Sequence, residues 1–156
     1  MKVVAYCDGS SQSNPGPAGS GAYIWCEENH GLATISWPLG IQTNNVAEYD
    51  AVVRALYVAL ALGATEIEIR TDSETLVRQV NGEYAVRTPH LRPLHKQVLR
   101  LLRRFPDGAT IEWVPRTSNT KADELAGQAS GANPDYDKIK RERKQRWSDE
   151  LARSSS

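Results

Sequence analysis

The sequence predicts an α/β fold, a five-stranded mixed sheet with three antiparallel strands, then parallel ones, flanked by helices. Three observations carry this expectation. Residues 2–8 open with the apolar run Val3-Val4-Ala5-Tyr6-Cys7, the pattern of a strand covered on both faces. Two further short strands follow, at 21–26 and 32–37, joined by the polar turn Glu27-Glu28-Asn29-His30-Gly31. The remaining order is helix, strand, helix, helix, strand, helix. Its two strands, at 66–71 and 110–114, are linked through helices, so right-handed parallel crossovers are expected.

Each element has its own warrant. The stretch Asn14-Pro15-Gly16-Pro17-Ala18-Gly19-Ser20-Gly21 is predicted as a loop, because Pro and Gly interrupt the strand pattern. Asn44-Asn45 introduces a long helix over 46–62, with one of the two Asn expected as its cap and Gly63 as its stop. Ile67 and Ile69 alternate in the strand at 66–71. A short helix at 73–80 closes on Asn81-Gly82. The helix at 90–105 places Leu91, Leu94, Val98, Leu101 and Leu102 on one side. A final strand at 110–114 and a helix at 119–129 complete the domain. Trp25, Trp37 and Trp113 alternate within strands and are expected in the core. Asn133-Pro134 breaks the pattern, and 138–146 carries six basic residues and one acid. The expected organisation is therefore a domain at 1–132 and a charged tail or appended helix at 133–156.

Composition narrows the function classes. A chain of 156 residues, 40% hydrophobic, has apolar material for one core without disulfide or metal support. Nineteen basic and nineteen acidic residues cancel, which excludes a strongly basic domain but leaves room for a carboxylate-rich site. No apolar run approaches the ~20 residues that cross a bilayer, and the N-terminus turns polar too soon for a signal peptide. Cys7 and Cys26 lack CxxC spacing and are expected as buried free thiols. A monomer in the cytoplasm, with no membrane partner, is expected.

Four carboxylates stand out. Asp8 directly follows an apolar strand, although Asp-Gly also suits a turn. Glu48 shares a helical stripe with Val52, Ala55, Ala59 and Leu62. A buried carboxylate there needs a counter-charge, while a first-turn acid also complements the helix dipole. Asp72 ends a strand and could cap the following helix. Asp123 lies between Ala122 and Ala126 in the last helix, where a solvated acid is ordinary. Together they converge, because Asp8 and Asp72 lie at the carboxyl ends of strands, where crevices form in α/β sheets. Glu48 and Asp123 lie near helix starts that reach the same edge. Without a Cys/His set, zinc is disfavoured. All-oxygen ligation suits Mg²⁺ or Mn²⁺, and a pair of such ions suits in-line phosphoryl chemistry.

Four motifs carry a resemblance. Tyr6-Cys7-Asp8-Gly9-Ser10 with Asn14-Pro15-Gly16-Pro17-Ala18-Gly19, Thr43-Asn44-Asn45-Val46-Ala47-Glu48-Tyr49, Thr71-Asp72-Ser73, and Val114-Pro115-Arg116 with Asn119 and Ala122-Asp123-Glu124-Leu125-Ala126 occur in that order. The sequence resembles type 1 ribonucleases H across about residues 1–129. The resemblance implies the ribonuclease H-like fold and hydrolysis of the RNA strand of an RNA–DNA hybrid, leaving 5′-phosphate and 3′-hydroxyl ends. It implies Asp8, Glu48, Asp72 and Asp123 as the catalytic, metal-binding set for two Mg²⁺ or Mn²⁺ ions, one activating water and one stabilising the leaving 3′ oxygen. It also implies substrate contact by Gly9, Ser10, Asn14, Gly16, Thr43, Asn44, Asn45 and Arg116. Amides suit this work, since the RNA 2′-OH donates and accepts, as they do. A non-catalytic hybrid-binding module on the same fold is the alternative; it would be expected had an acid been replaced, and none is.

The departures from the pattern are specific. Residues 114–123 contain no His, so the sequence resembles the subgroup lacking that loop residue, with Arg116 as a partial substitute. Position 41 is Ile where several relatives use Arg. The stretch 81–93 is short and has no Trp, so the basic protrusion of some relatives is missing. Arg87, Arg92 and Lys96 are candidates for backbone contact, or a solvated helix face.

Overall fold

The computed structural model describes residues 1–131 together with 149, 152 and 153. The predicted tail at 133–156 otherwise lies outside the described residues. Five strands form one sheet in the order β3-β2-β1-β4-β5. Strand β1 (Lys2–Ser11) pairs antiparallel with β2 (Gly16–Cys26), which pairs antiparallel with β3 (His30–Gln42). On its other side β1 pairs parallel with β4 (Glu66–Thr71), and β4 with β5 (Ala109–Trp113). The mixed sheet is the predicted one.

Helix α1 (Asn44–Ala61) covers the centre of one face. Val3, Ala5 and Cys7 of β1 and Ile67 and Ile69 of β4 join Tyr49, Val52, Leu56 and Ala59 of α1 in the core. Burial pushes the Cys7 thiol far up from its ordinary range, and both cysteines are buried and free. Helices α2 (Glu74–Val80) and α3 (Arg92–Leu102) extend this layer. Helix α4 (Thr120–Ser130) packs on the opposite face, across β2 and β1.

Three sequence expectations are corrected. Residues 16–21 are not loop but the first half of β2, with Ala18 opposite Ser11 and Gly21 opposite Asp8. Their small side chains serve close packing. A Cβ on Gly21 would overlap the α4 backbone at Ala122 and Ala126, and one on Gly19 would overlap it at Ala129 and Ser130. Second, the cap of α1 is neither Asn. The Val46 N–H donates to Thr43 Oγ1 at 3.3 Å, so the helix starts two residues early and neither Asn side chain caps it. Third, Trp37 and Trp113 are about half exposed, at 52% and 51%. Strands β3 and β5 are sheet edges, where a large ring overhangs the helix layer. Arg54 covers the Trp37 ring at 4.6 Å from its centroid. Trp25 is only half-buried, on the sheet face away from α1, beside His30.

Smaller shifts concern ends. The helix predicted at 90–105 begins as a 3-10 turn, Pro89–Leu91, and its α-helical part ends at Leu102. Gly63, at φ +85°, stops α1 as expected.

Candidate active site

The parallel pairing of β1 with β4 ends at Cys7 opposite Thr71; β4 stops there, whereas β1 runs on to Ser11 against β2, so Asp8 lies within its strand and not at its end as expected. Asp8 and Asp72 each follow that pair. Asp72 is not the cap of α2. Ser73 holds that place, with the Leu76 N–H donating to its Oγ at 3.3 Å. The Asp72 carboxylate is therefore not spent on the helix.

Glu48 reaches the same edge from the first turns of α1. Gly9 is what permits it, since a Cβ there would overlap Glu48 N and Ala47. Asp123 arrives from the opposite face on the first turn of α4. Four elements thus deliver four acids to one end of the sheet.

Their fields overlap. Asp8 is 6% exposed, and its pKa is pushed up to about 9, first by burial, then by the charge of Asp72, a shared hydrogen bond with Asp123, and the charges of Asp123 and Glu48. Glu48 is pushed up to about 7 by burial, with Asp72 adding to the rise and a hydrogen bond from Ser73 opposing it. Such crowding of like charge is what a bound cation relieves. Among the described residues no three of these groups already form a ready-made cage; the mutual field, and a donor set made only of oxygen, are what fit a hard divalent ion.

The predicted substrate residues border the acids on one side. Asn14, on the exposed turn between β1 and β2, accepts from the Asn44 N–H at 3.1 Å. Asn44 Nδ2 donates to Glu48 Oε1 at 3.4 Å. Asn45 is exposed and lines a groove of about 440 Å³ with Gln79, Tyr84, Arg87 and Thr88. Ser10 accepts from the Ser130 hydroxyl at 3.3 Å. Gly16 is buried against Ser13. Arg116, with a side chain 78% exposed, places Nη2 at 3.7 Å from Asp123 Oδ1. The larger cavity of about 750 Å³, lined by Tyr6, Tyr23, Trp25 and Arg70 among others, contains none of the acids.

Comparison with known proteins shows the family and the fold. The sequence matches the family described as reverse transcriptase-like over residues 6–129. The chain belongs to that family, and its domain is of the ribonuclease H type. It is 44% identical over 133 residues to the bifunctional protein Rv2228c of Mycobacterium tuberculosis, covering 85% of this chain and 36% of that protein. It thus spans about a third of the length of that relative. It is 39% identical to ribonuclease HI of Halobacterium salinarum, covering 82% of this chain and 64% of that protein. The ribonuclease H1 structure from that archaeon superposes with a TM-score of 0.80 at 38% identity, over 85% of this chain and 100% of that one. LC11-RNase H1, solved in complex with an RNA/DNA hybrid, superposes with a TM-score of 0.77 at 36% identity, over 83% of this chain and 97% of that one.

Two residues of this ribonuclease H-type domain were not singled out as site residues from sequence. Ser73 caps α2 and bonds Glu48. Asn119 is buried against Asp72. Both sit inside the motifs quoted above, but Ser and Asn at helix starts read as caps, which hides any second role. Gln79 proves to be an anchor: it accepts from the Tyr49 hydroxyl at 2.7 Å, and its carbonyl meets His95 Nε2 at 3.0 Å.

Proposed function

We propose that this chain is a metal-dependent endoribonuclease that cuts the RNA strand of RNA–DNA hybrids, leaving 5′-phosphate and 3′-hydroxyl ends. The observation that carries this is the convergence of Asp8, Glu48, Asp72 and Asp123 from four elements into one shared field. These four would hold two Mg²⁺ or Mn²⁺ ions. Bound there, such ions supply Lewis-acid activation of water and neutralisation of the leaving oxygen.

The protein's own part is positioning and charge. Water attacks the phosphorus in line, and the bond from phosphorus to the 3′ oxygen breaks. The carboxylates fix where the positive charge sits, and the packed strands and helices that carry them keep them there. Asn14, Asn44 and Asn45 read the 2′-OH groups from the minor groove. With Thr43 capping α1, the two Asn amides keep donors and acceptors for substrate. The Thr43 hydroxyl accepts from Val46 but keeps its proton for a DNA-strand phosphate. Ser10 and the backbone at Gly9 and Gly16 border the RNA path. Arg116, whose Nη2 lies 3.7 Å from Asp123 Oδ1, would meet a phosphate there, in the loop where many relatives carry His. A monomeric domain at 1–132 in the cytoplasm completes this assignment.

Labelled RNA–DNA hybrid, duplex RNA and duplex DNA, each with Mg²⁺, Mn²⁺ or chelator, test it. Hybrid cleavage dependent on metal is expected. Asp72→Asn removes a ligand charge without changing shape, and should lower turnover by orders of magnitude while its melting temperature in chelator stays equal or rises. Full activity of that variant would remove Asp72 from the site. Hybrid binding with no cleavage under any metal would instead favour the non-catalytic module.

A further inference from the structure

Asn119 is 1% exposed, at the start of α4. Its Nδ2 donates to the Cys7 carbonyl at 2.8 Å and to Asp72 Oδ1 at 3.2 Å. Its backbone carbonyl accepts from the Asp123 N–H at 3.0 Å. One residue therefore touches the backbone of β1 next to Asp8, the Asp72 carboxylate, and the helical turn that carries Asp123. The first two contacts are made by its side chain and the third by its backbone.

The amide is also used asymmetrically. Both its hydrogens are committed, yet Oδ1 is buried with no hydrogen-bond partner. Buried polar atoms are nearly always paired, because an unpaired one forfeits its hydration. An apolar side chain of similar volume would remove the unpaired oxygen, but it would also leave the Cys7 carbonyl and Asp72 Oδ1 without this donor. Keeping the amide makes sense where its donors have work that an apolar group cannot do. A donor on a metal-binding carboxylate fixes its rotamer and directs its free oxygen outward.

We infer that Asn119 is a positioning residue of the metal site, holding the Asp72 carboxylate in register with β1 next to Asp8 and with Asp123. This rests on the metal-dependent assignment above, and it adds that affinity for the ions depends on a residue that is not a ligand.

The test is Mn²⁺ binding to the metal-free protein by titration calorimetry, alongside thermal melts in chelator and the Mn²⁺ dependence of hybrid cleavage. Asn119→Leu keeps volume and removes the donors; Asn119→Ala is the second variant should the leucine not fold. Val98→Ala, a fully buried position on α3, serves as a destabilised control away from the acids. The expected result is Mn²⁺ binding at least tenfold weaker in the Asn119 variant, with cleavage partly restored by excess Mn²⁺. Val98→Ala should melt earlier yet bind Mn²⁺ like the unaltered chain. Unchanged Mn²⁺ affinity in a folded Asn119 variant would overturn the inference and leave Asn119 a structural residue. An unaltered chain that neither binds Mn²⁺ nor cuts hybrid would overturn the metal assignment itself, a distinguishable failure.

Discussion

At the scale of single residues, the site is a contest between burial and charge. Asp8 shows it most clearly, with an ordinary pKa of 3.8 pushed up to about 9 in the folded chain. The sign follows from proton counting. Between those values the folded state holds a proton that the unfolded state has released. Metal-free stability therefore falls as pH rises from about 4 through about 9. Melts in chelator across that range should show the decline, and Asp8→Asn should make it shallower, leaving the part below about pH 7 that Glu48 contributes. An equal slope in both proteins would show that Asp8 is not its source. Thr43 carries a second prediction. Thr43→Ala should cost about 1 kcal/mol through loss of the α1 cap, seen as a lower urea midpoint. It should also weaken hybrid binding, if its hydroxyl meets the DNA strand as proposed.

At the scale of elements, small residues decide how closely α1 and α4 approach the sheet. Gly9 lies under α1 and Gly21 under α4, each where a Cβ would overlap backbone. Gly21→Ala should destabilise by about 1–3 kcal/mol or more through overpacking, and should lower cleavage as well, because the helix it displaces carries Asp123. A urea titration and a hybrid assay read both effects. These glycines also explain what the sequence did and did not reveal. Strands with alternating or continuous apolar runs, such as 66–71, were legible because their pattern comes from their own burial. The strand at 16–21 was not, since its Gly and Pro content reads as loop and its partner is a helix about a hundred residues onward. The four acids were legible through the motifs and the apolar company of Glu48. The cap at Thr43 was masked by two adjacent Asn, residues with stronger capping preference. Trp37 and Trp113 misled because alternation predicts a face, whereas burial also depends on whether the strand is an edge.

At the scale of the whole molecule, one core under α1 keeps the strands aligned. Leu56 is fully buried there, and Leu56→Ala should cost about 2–5 kcal/mol. Below its melting range that variant should cut hybrid at nearly the normal rate, because the acids stay in place; a large loss of kcat at low temperature would mean the core tunes the site directly. The sheet order has a different consequence. The exposed turn at Asn81-Gly82-Glu83 divides the chain so that Asp8, Glu48 and Asp72 precede it and Asp123 follows. Strand β5 completes the sheet from the far side of that division. A polypeptide severed at Gly82 would leave two halves, each inert alone. If they reassociate, restored hydrolysis would report their reunion, making the domain a natural starting point for a split-enzyme sensor.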